Sequence, residues 1–312
     1  MDEYKDINDA YLDILHDIKD TGQIKAKRRE LPFLTFTLTD MNKNILFFPF
    51  AQRNWPWILR ECSDRIFSVT NPGLSYYFSK NWENRIEDSG LYSYHYANRL
   101  NGQMKEALSK KIHSRDKIIQ VWKKSDYSLK GRQPCTIIMQ PIVEHDNKMS
   151  LVVYMRNNDM INIFPSDIFI HTTYFKYWCV KYDIEYKNLY WISAVAYYQK
   201  KRDKLKFAER LIEQWADTYQ NIISTKWNID VTKDLEIKEN YERSMLLAKE
   251  SGARYTIAHQ CLEQLKTDYG REWFKIAMLK IFKIDKNKKA FNAVKKSKWF
   301  TEFNLIKDSI KA

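Results

Sequence analysis

The sequence predicts an α/β protein, because helical and strand-like patterns both occur along the chain. Ala10 to Lys19 places apolar side chains three and four residues apart, the spacing of one helical face. Phe33 to Thr39 and Leu151 to Met155 are short apolar runs typical of strands. A further helix is expected from Ile168 to Tyr182, after the Pro165-Ser166-Asp167 segment.

Length and composition indicate a folded, water-compatible chain. Its 312 residues suffice for one large domain, or for a domain with an extension. A hydrophobic content of 44% with 15% aromatics favours a packed core over disorder. No apolar run approaches the roughly 20 residues that span a bilayer, and the acidic start at Met1 to Tyr4 is unlike a signal peptide. We therefore expect a cytoplasmic protein.

Cysteine and glycine usage excludes several classes of site. The four cysteines lie far apart and form no CxxC pair, so neither a zinc site nor a disulfide framework is expected. There are only seven glycines, and neither GxGxxG nor GxxxxGK[ST] occurs. Glycine-loop dinucleotide sites and P-loop phosphate sites are therefore not expected.

Positive charge is concentrated near the C-terminus. The formal net charge is +13, and residues 231–312 carry 18 lysines and arginines against 11 aspartates and glutamates. This pattern is compatible with a solvated lysine-rich surface. It is also compatible with a nucleic-acid or protein partner, because excess positive charge attracts polyanions.

One constellation of side chains carries specific chemistry. Cysteine can add as a soft nucleophile to C6 of a pyrimidine at neutral pH, provided that nearby positive charge favours its thiolate. Arg156 follows Cys135 by 21 residues, and a hairpin through His145-Asp146-Asn147 would return it beside the cysteine. Asp159 and Asp167 follow at short intervals. Taken alone, Cys135 would be interpreted as a buried structural cysteine.

With this spacing, the chain from Pro134 to Gln199 resembles the thymidylate synthase family, and within it the deoxycytidylate hydroxymethylase branch. The resemblance covers roughly residues 10 to 225 and is densest from Cys135 to Asp167. It implies a thymidylate-synthase-type fold, a mixed β-sheet with flanking helices, over residues 1–230. It also implies a homodimer and 5,10-methylenetetrahydrofolate as co-substrate. We interpret residues 231–312, which the resemblance does not cover, as a basic helical C-terminal extension.

The resemblance assigns roles to five residues. Cys135 would add to C6 of the base and make C5 nucleophilic, and Glu61 would order water and move protons. Arg156 would hold the substrate phosphate and favour the thiolate. Asp159 would contact base and folate, and Trp82 would help to position the folate. C5 would attack the methylene of 5,10-methylenetetrahydrofolate, and loss of the C5 proton with departure of tetrahydrofolate would leave an exocyclic methylene. Addition of water to that methylene would give a hydroxymethyl product.

Position 167 carries the information about the base. Thymidylate synthases have asparagine there, whose amide suits uracil, whereas Asp167 is similar to the hydroxymethylase branch. A carboxyl group can accept from the 4-amino group of cytosine and share a proton with N3. Asp167 could also serve as the N-cap of the following helix, with or without this role.

The resemblance extends to phosphate and sugar contacts. Arg28 or Arg29 would grip the substrate phosphate, unless the basic segment is a plain surface loop. Arg115 would reach the phosphate of a neighbouring subunit. Tyr197 and Gln199 occupy the places of the family's sugar-binding histidine and tyrosine, and both can form hydrogen bonds.

Three functions follow from these patterns. The first is a folate-dependent transferase that converts dCMP to 5-hydroxymethyl-dCMP. The second is a relative that alkylates another pyrimidine nucleotide. The third is a nucleotide- or nucleic-acid-binding subunit without catalysis, which the basic extension would favour. That extension could cover the active site, bind a partner or buttress the domain.

Overall fold

A computed structural model describes residues 1–41, 44, 46, 58, 61–62, 64–66, 95–100, 102–109, 116–129 and 133–199. The chain divides into two compact units. The first comprises Met1–Ala51 with Gly102–Asn228, and the second comprises Gln52–Asn101 with Ile229–Ala312. The expected extension at 231–312 lies outside the described residues, so it and the boundary at residue 230 stay predictions.

The described part of the chain contains helices and strands in a mixed order. The helices are α1 (Ile7–Asp20), α2 (Tyr96–Leu100), α3 (Gln103–Ser109) and α4 (Phe164–Lys181), with a 3₁₀ turn at Lys124–Ser128. The strands are β1 (Asp2–Tyr4), β2 (Gln23–Lys25), β3 (Arg28–Leu38), β4 (Ile119–Gln120), β5 (Thr136–Val143), β6 (Lys148–Met155), β7 (Asn158–Asp159) and β8 (Glu185–Gln199).

The eight strands form one sheet in the first unit. Its main order is β1-β3-β8-β6-β5-β4, with β2 paired to β3 and β7 paired to β8. The pairs β1/β3, β6/β8 and β7/β8 are parallel, and the remaining pairs are antiparallel. The predicted mixed α/β character, a mixed sheet with flanking helices, is confirmed at this level.

Helix α1 matches the apolar pattern of the sequence. Asp6 precedes the helix and its carboxylate accepts a hydrogen bond from the amide N–H of Asn8, at 2.9 Å. The helix ends before Gly22, where an added Cβ would lie only 2.3 Å from the Ile18 carbonyl oxygen. The predicted helix is confirmed. It begins at Ile7 and not at Ala10, because Asp6 provides the N-cap.

The core lies where α1 and α4 pack on one face of the sheet. Tyr11 of α1 stacks on Phe164 of α4 with ring centroids 5.8 Å apart. Trp191 of β8 meets Phe164 edge to face at 5.6 Å and stacks on Phe36 of β3 at 6.3 Å. All four rings are at most 1% exposed, so burial of these aromatic surfaces is a principal stabilising contribution here.

Strands β5 and β6 form the predicted hairpin. The Glu144 amide donates to the Lys148 carbonyl at 2.7 Å, closing the turn between the strands. Asn147 takes a left-handed backbone conformation with φ of 59°, which asparagine tolerates well. Its side chain donates to the Asp183 carbonyl at 2.9 Å, tying the turn to the loop after α4.

Helix α4 begins earlier than expected, which corrects the interpretation of Asp167 as an N-cap. The cap position is Ile163, and its side chain makes no capping bond. Pro165 falls within the first turn, where its fixed φ and missing N–H are accommodated. Asp167 therefore lies inside the helix, and its amide donates to the Ile163 carbonyl at 3.0 Å.

Strand β3 also begins earlier than expected, at Arg28 rather than Phe33. It forms a tight hairpin with β2, so Arg28 and Arg29 lie on a strand rather than in a loop, and Arg28 is exposed.

Across the described helices of the chain, none has the length and apolar character that a membrane crossing requires.

Candidate active site

Cys135 and Arg156 lie side by side at one end of the β5/β6 hairpin. Thr136 pairs with Met155 in the antiparallel register, so the preceding and following residues meet beyond the last pair. The Arg156 amide donates to the Cys135 carbonyl at 2.8 Å. Cys135 is half-buried. The predicted return of Arg156 to the cysteine is thereby confirmed.

The guanidinium of Arg156 is held against the residues that precede the cysteine. Its Nε donates to the Pro134 carbonyl at 2.9 Å, and one terminal nitrogen donates to the Gln133 carbonyl at 3.2 Å. The group lies 5.7 Å from the centroid of the Trp122 ring. A guanidinium has five N–H donors, so these two bonds leave donors for an anion. The Arg156 side chain therefore places a fixed positive charge against the segment that leads into Cys135.

Asp159 is fixed by the turn that leads into α4. Its Oδ1 accepts from the amides of Ile161, at 3.2 Å, and Asn162, at 3.0 Å. Its Oδ2 accepts from the Asn162 side chain at 2.8 Å. Since each carboxylate oxygen has two lone pairs, Oδ2 retains acceptor capacity. The carboxylate is thus preorganised by local contacts, and it is only 7% exposed.

Asp167 belongs to a chain of three buried polar side chains. The Nδ2 amide of Asn158 donates to Asp167 Oδ2 at 3.2 Å. The indole N–H of Trp191 donates to Asn158 Oδ1 at 3.1 Å. Asn158 and Trp191 are fully buried, and Asp167 is 8% exposed. Burial of polar groups is tolerated here because each finds a partner.

His171 connects Asp167 to the strand that carries Cys135. Its Nδ1 lies 2.8 Å from the Asp167 carbonyl oxygen, and its Nε2 lies 3.3 Å from the Thr136 hydroxyl. A carbonyl oxygen can only accept, so Nδ1 carries the proton. The Thr136 hydroxyl donates to Met155 Sδ at 3.2 Å and also lies within reach of His171 Nε2. Thr136 directly follows Cys135, so this contact ties the start of β5 to the first turns of α4.

The phosphate and sugar candidates meet at the β3/β8 pair. Arg28 pairs with Gln199 in the antiparallel register, and its guanidinium lies 4.5 Å from the centroid of the Tyr197 ring. Tyr197 is also the register partner of Asp159 across β7 and β8. Arg28 is exposed, and Tyr197 and Gln199 are half-buried. Four of the predicted site residues are therefore neighbours along adjacent strands.

Glu61 lies in the second unit and makes a buried ion pair there. It is 2% exposed, and its Oε1 accepts from Arg65 Nε at 3.1 Å, one helical turn away. The Arg65 guanidinium lies 4.0 Å from the centroid of the Tyr96 ring. Residues 58, 61–62 and 64–66 are helical. Trp82 and Arg115 fall outside the described residues.

Sequence reasoning missed Asn158, His171 and Trp191. His171 had one readable signal, because it follows Asp167 by four residues and so shares a helical face with it. Trp191 had none, since a tryptophan in an apolar strand is interpreted as core. Within the described ranges no cluster of three or more histidine, cysteine or acidic side chains could hold a metal ion.

Comparison of the chain with protein-family models and with curated proteins finds no match in either. The geometry of the site and the spacing of its residues are therefore the features that indicate a function.

Proposed function

We propose that this protein is a folate-dependent pyrimidine nucleotide C5 hydroxymethyltransferase with a thymidylate-synthase-type fold, acting on dCMP. The observation that carries the proposal is the placement of Arg156, whose guanidinium is bonded to the two carbonyls before Cys135. A half-exposed thiol with a fixed cation beside its segment has the features of an activated nucleophile.

Each of the site residues would have a separate role in the reaction. Cys135 forms a bond to C6 of the base through its thiolate, which places negative charge towards C5. The remaining donors of Arg156, together with Arg28, bind the phosphate dianion. Glu61 orders water and moves protons, and Tyr197 and Gln199 bind the sugar hydroxyl. In the proposed dimer, Arg115 of the neighbouring subunit would also contact the phosphate.

The co-substrate 5,10-methylenetetrahydrofolate would supply a one-carbon unit at the oxidation level of formaldehyde. Asp159 fits a folate in one respect, because its Oδ2 keeps a lone pair for an N–H group of the pterin ring. Trp82 would provide an aromatic surface for the same ring. Asp167 would meet the polar edge of the base, and its carboxyl group suits cytosine.

Release of tritium from C5 of labelled dCMP tests this proposal. We expect release that depends on methylenetetrahydrofolate in the wild type and falls to background in Cys135→Ala. Cys179→Ala is the matched control, since burial raises the pKa of the Cys179 thiol to about 12 and keeps it protonated. Absence of release from dCMP, CMP and dUMP alike would contradict the proposal.

A binding subunit without catalysis is the second candidate, and the net charge of +13 favours it. Such a subunit would be retained on immobilised DNA and released steeply as salt increases, because binding releases counterions. Retention on DNA that is lost steeply as salt increases, together with absent tritium release, would favour this candidate over the enzyme.

We also propose that the protein is a homodimer and is cytoplasmic. A row of apolar side chains supports the dimer, since Ile138, Tyr154 and Ile192 are successive register partners and all are half-buried. They alternate with Val153 and Trp191, which face the core beneath α1 and α4 and are fully buried. The row therefore lies on the sheet face opposite those helices, where a second copy could pack.

A further inference from the structure

The hydrogen-bond chain from Trp191 through Asn158 to Asp167 fixes the direction of an amide. An indole N–H is a donor only, so the group that faces it must accept. The side-chain oxygen of Asn158 therefore faces Trp191, at 3.1 Å, and its amide nitrogen faces Asp167, at 3.2 Å. Reversal of the amide would set donor against donor inside a fully buried site.

The orientation of this amide determines what Asp167 can do with its second oxygen. Oδ2 receives an N–H, so it acts as an acceptor at that contact. A proton on the carboxyl group is then favoured on Oδ1, because an O–H on Oδ2 would compete with the amide donor. Asn158 and Trp191 together therefore distinguish the two oxygens of Asp167, Oδ2 as an acceptor and Oδ1 as the site of the proton.

We propose that Asn158, oriented by Trp191, is a positioning residue that makes Asp167 selective for cytosine over uracil. The inference rests on the proposed function, in which the base meets Asp167. Cytosine presents a 4-amino donor, which Oδ2 accepts, and an N3 acceptor, which shares the proton on Oδ1. Uracil presents a carbonyl oxygen at C4, which sets acceptor against acceptor at Oδ2, and an N3–H donor, which opposes the proton on Oδ1.

The contribution of the amide is testable because it affects the two bases in opposite directions. Asn158→Leu removes the donor at similar size, and Trp191→Phe removes the group that orients it. Both should bring the dissociation constants of dCMP and dUMP closer together by about tenfold, the effect of losing one bond to a charged or polarised group. A purely structural role would weaken binding of both nucleotides equally.

Trp178→Phe is the matched control for the tryptophan exchange. Trp178 lies on α4, is 8% exposed, and its indole N–H finds no acceptor within the described part of the chain. The same substitution there should lower stability without changing the ratio of the two dissociation constants. Thermal midpoints of all variants would distinguish a loss of folding from a loss of selectivity between dCMP and dUMP.

The decisive measurement is calorimetric titration of each protein with dCMP and with dUMP, in the absence of folate. Tighter binding of dCMP by the wild type, with a ratio that collapses in each of Asn158→Leu and Trp191→Phe that folds, would support the inference. Equal binding of both nucleotides by the wild type would overturn it, even where the variants do not fold. A ratio unchanged in either folded variant would overturn it as well.

Binding and turnover separate this inference from the proposed function. Selective binding of dCMP without tritium release would leave the role of Asn158 intact and contradict the enzyme. Tritium release without selection between dCMP and dUMP would support a transferase and contradict the role of Asn158.

Discussion

The thiols of Cys135 and Cys179 have different surroundings, and this difference should be visible chemically. Cys135 is half-buried at a strand end beside Arg156, whereas Cys179 is fully buried in α4, where desolvation raises its pKa to about 12. Thiolates alkylate and thiols do not. At pH 8 in the native protein, iodoacetamide should therefore modify Cys135 at least about tenfold faster than Cys179.

Peptide mass spectrometry over a time course measures both rates in the same sample. Arg156→Met should slow modification of Cys135, because the cation that favours its thiolate is lost while Cys179 is unaffected. Equal rates at the two cysteines would contradict the proposed activation of Cys135.

The role of a residue could be predicted from the sequence only where its distance along the chain from another site residue encodes a known local structure. The interval from Cys135 to Arg156 encodes a hairpin with an apolar strand, so their meeting was predictable from turn chemistry and strand pattern. Asn158 and Trp191 meet through a side-chain hydrogen bond between residues 33 apart in the sequence, which no local pattern encodes. The direction of a buried amide depends on such contacts alone.

Strand β3 contains a strained residue. Phe33 has a φ of 56°, which a bulky side chain rarely adopts, and its side chain is 71% exposed. Phe33→Gly relieves the strain and loses little buried area. We expect the free energy of unfolding to rise by about 1 kcal/mol, measured by urea denaturation.

Ile142→Gly in β5 is the control for Phe33→Gly. Ile142 is also exposed, at 41%, but it lies in a regular strand, where glycine costs conformational entropy. This variant should be less stable than the wild type. A loss of stability in Phe33→Gly of the same size would mean that the left-handed backbone is not strained.

Helix α1 carries an unfavourable charge near its C-terminal end. The pKa of Asp17 is raised, first by partial desolvation and then by the negative charges of Asp13, Asp2 and Asp20. Ionisation of Asp17 in the folded state is therefore disfavoured, and the cost is present above its raised pKa. The negative charge also opposes the helix dipole at this end.

Asp17→Asn should accordingly be more stable than the wild type at pH 7. As pH falls through the raised pKa, the wild-type carboxylate becomes protonated, so the advantage should shrink and then disappear once the pH is also below the ordinary pKa of an aspartate. Thermal midpoints of both proteins from pH 3 to pH 8 measure the difference. An advantage independent of pH would assign the effect to helix propensity instead of charge.

Elements were predictable to the extent that their patterns are local. Helix α1, the β5/β6 hairpin and the strand that ends at Met155 follow from apolar spacing and turn residues. The start of α4 was misplaced by four residues because Pro165 was interpreted as a residue before the helix. Proline is equally suited to the first turn of a helix. Whether the helix begins before or after Pro165 depends on the direction in which the chain leaves β7, which is set by tertiary contacts.

The whole molecule is proposed to form a dimer through the sheet face opposite α1 and α4. If Ile138, Tyr154 and Ile192 pack against a second copy, a charge among them should prevent association, because it would be buried without a partner. Ile192→Glu should therefore sediment as a monomer at micromolar concentration, whereas the wild type sediments as a dimer.

Val180→Glu provides the control for that experiment. Val180 lies on α4, on the other side of the sheet, and is 53% exposed, so a glutamate there should leave the dimer intact. Arg115 is the candidate that depends on association, because the resemblance places it at the phosphate of the neighbouring subunit. Ile192→Glu should then weaken dCMP binding even though Ile192 itself is no binding residue. Full-strength binding by the monomer would place the whole phosphate site, Arg156 and Arg28 included, within one subunit.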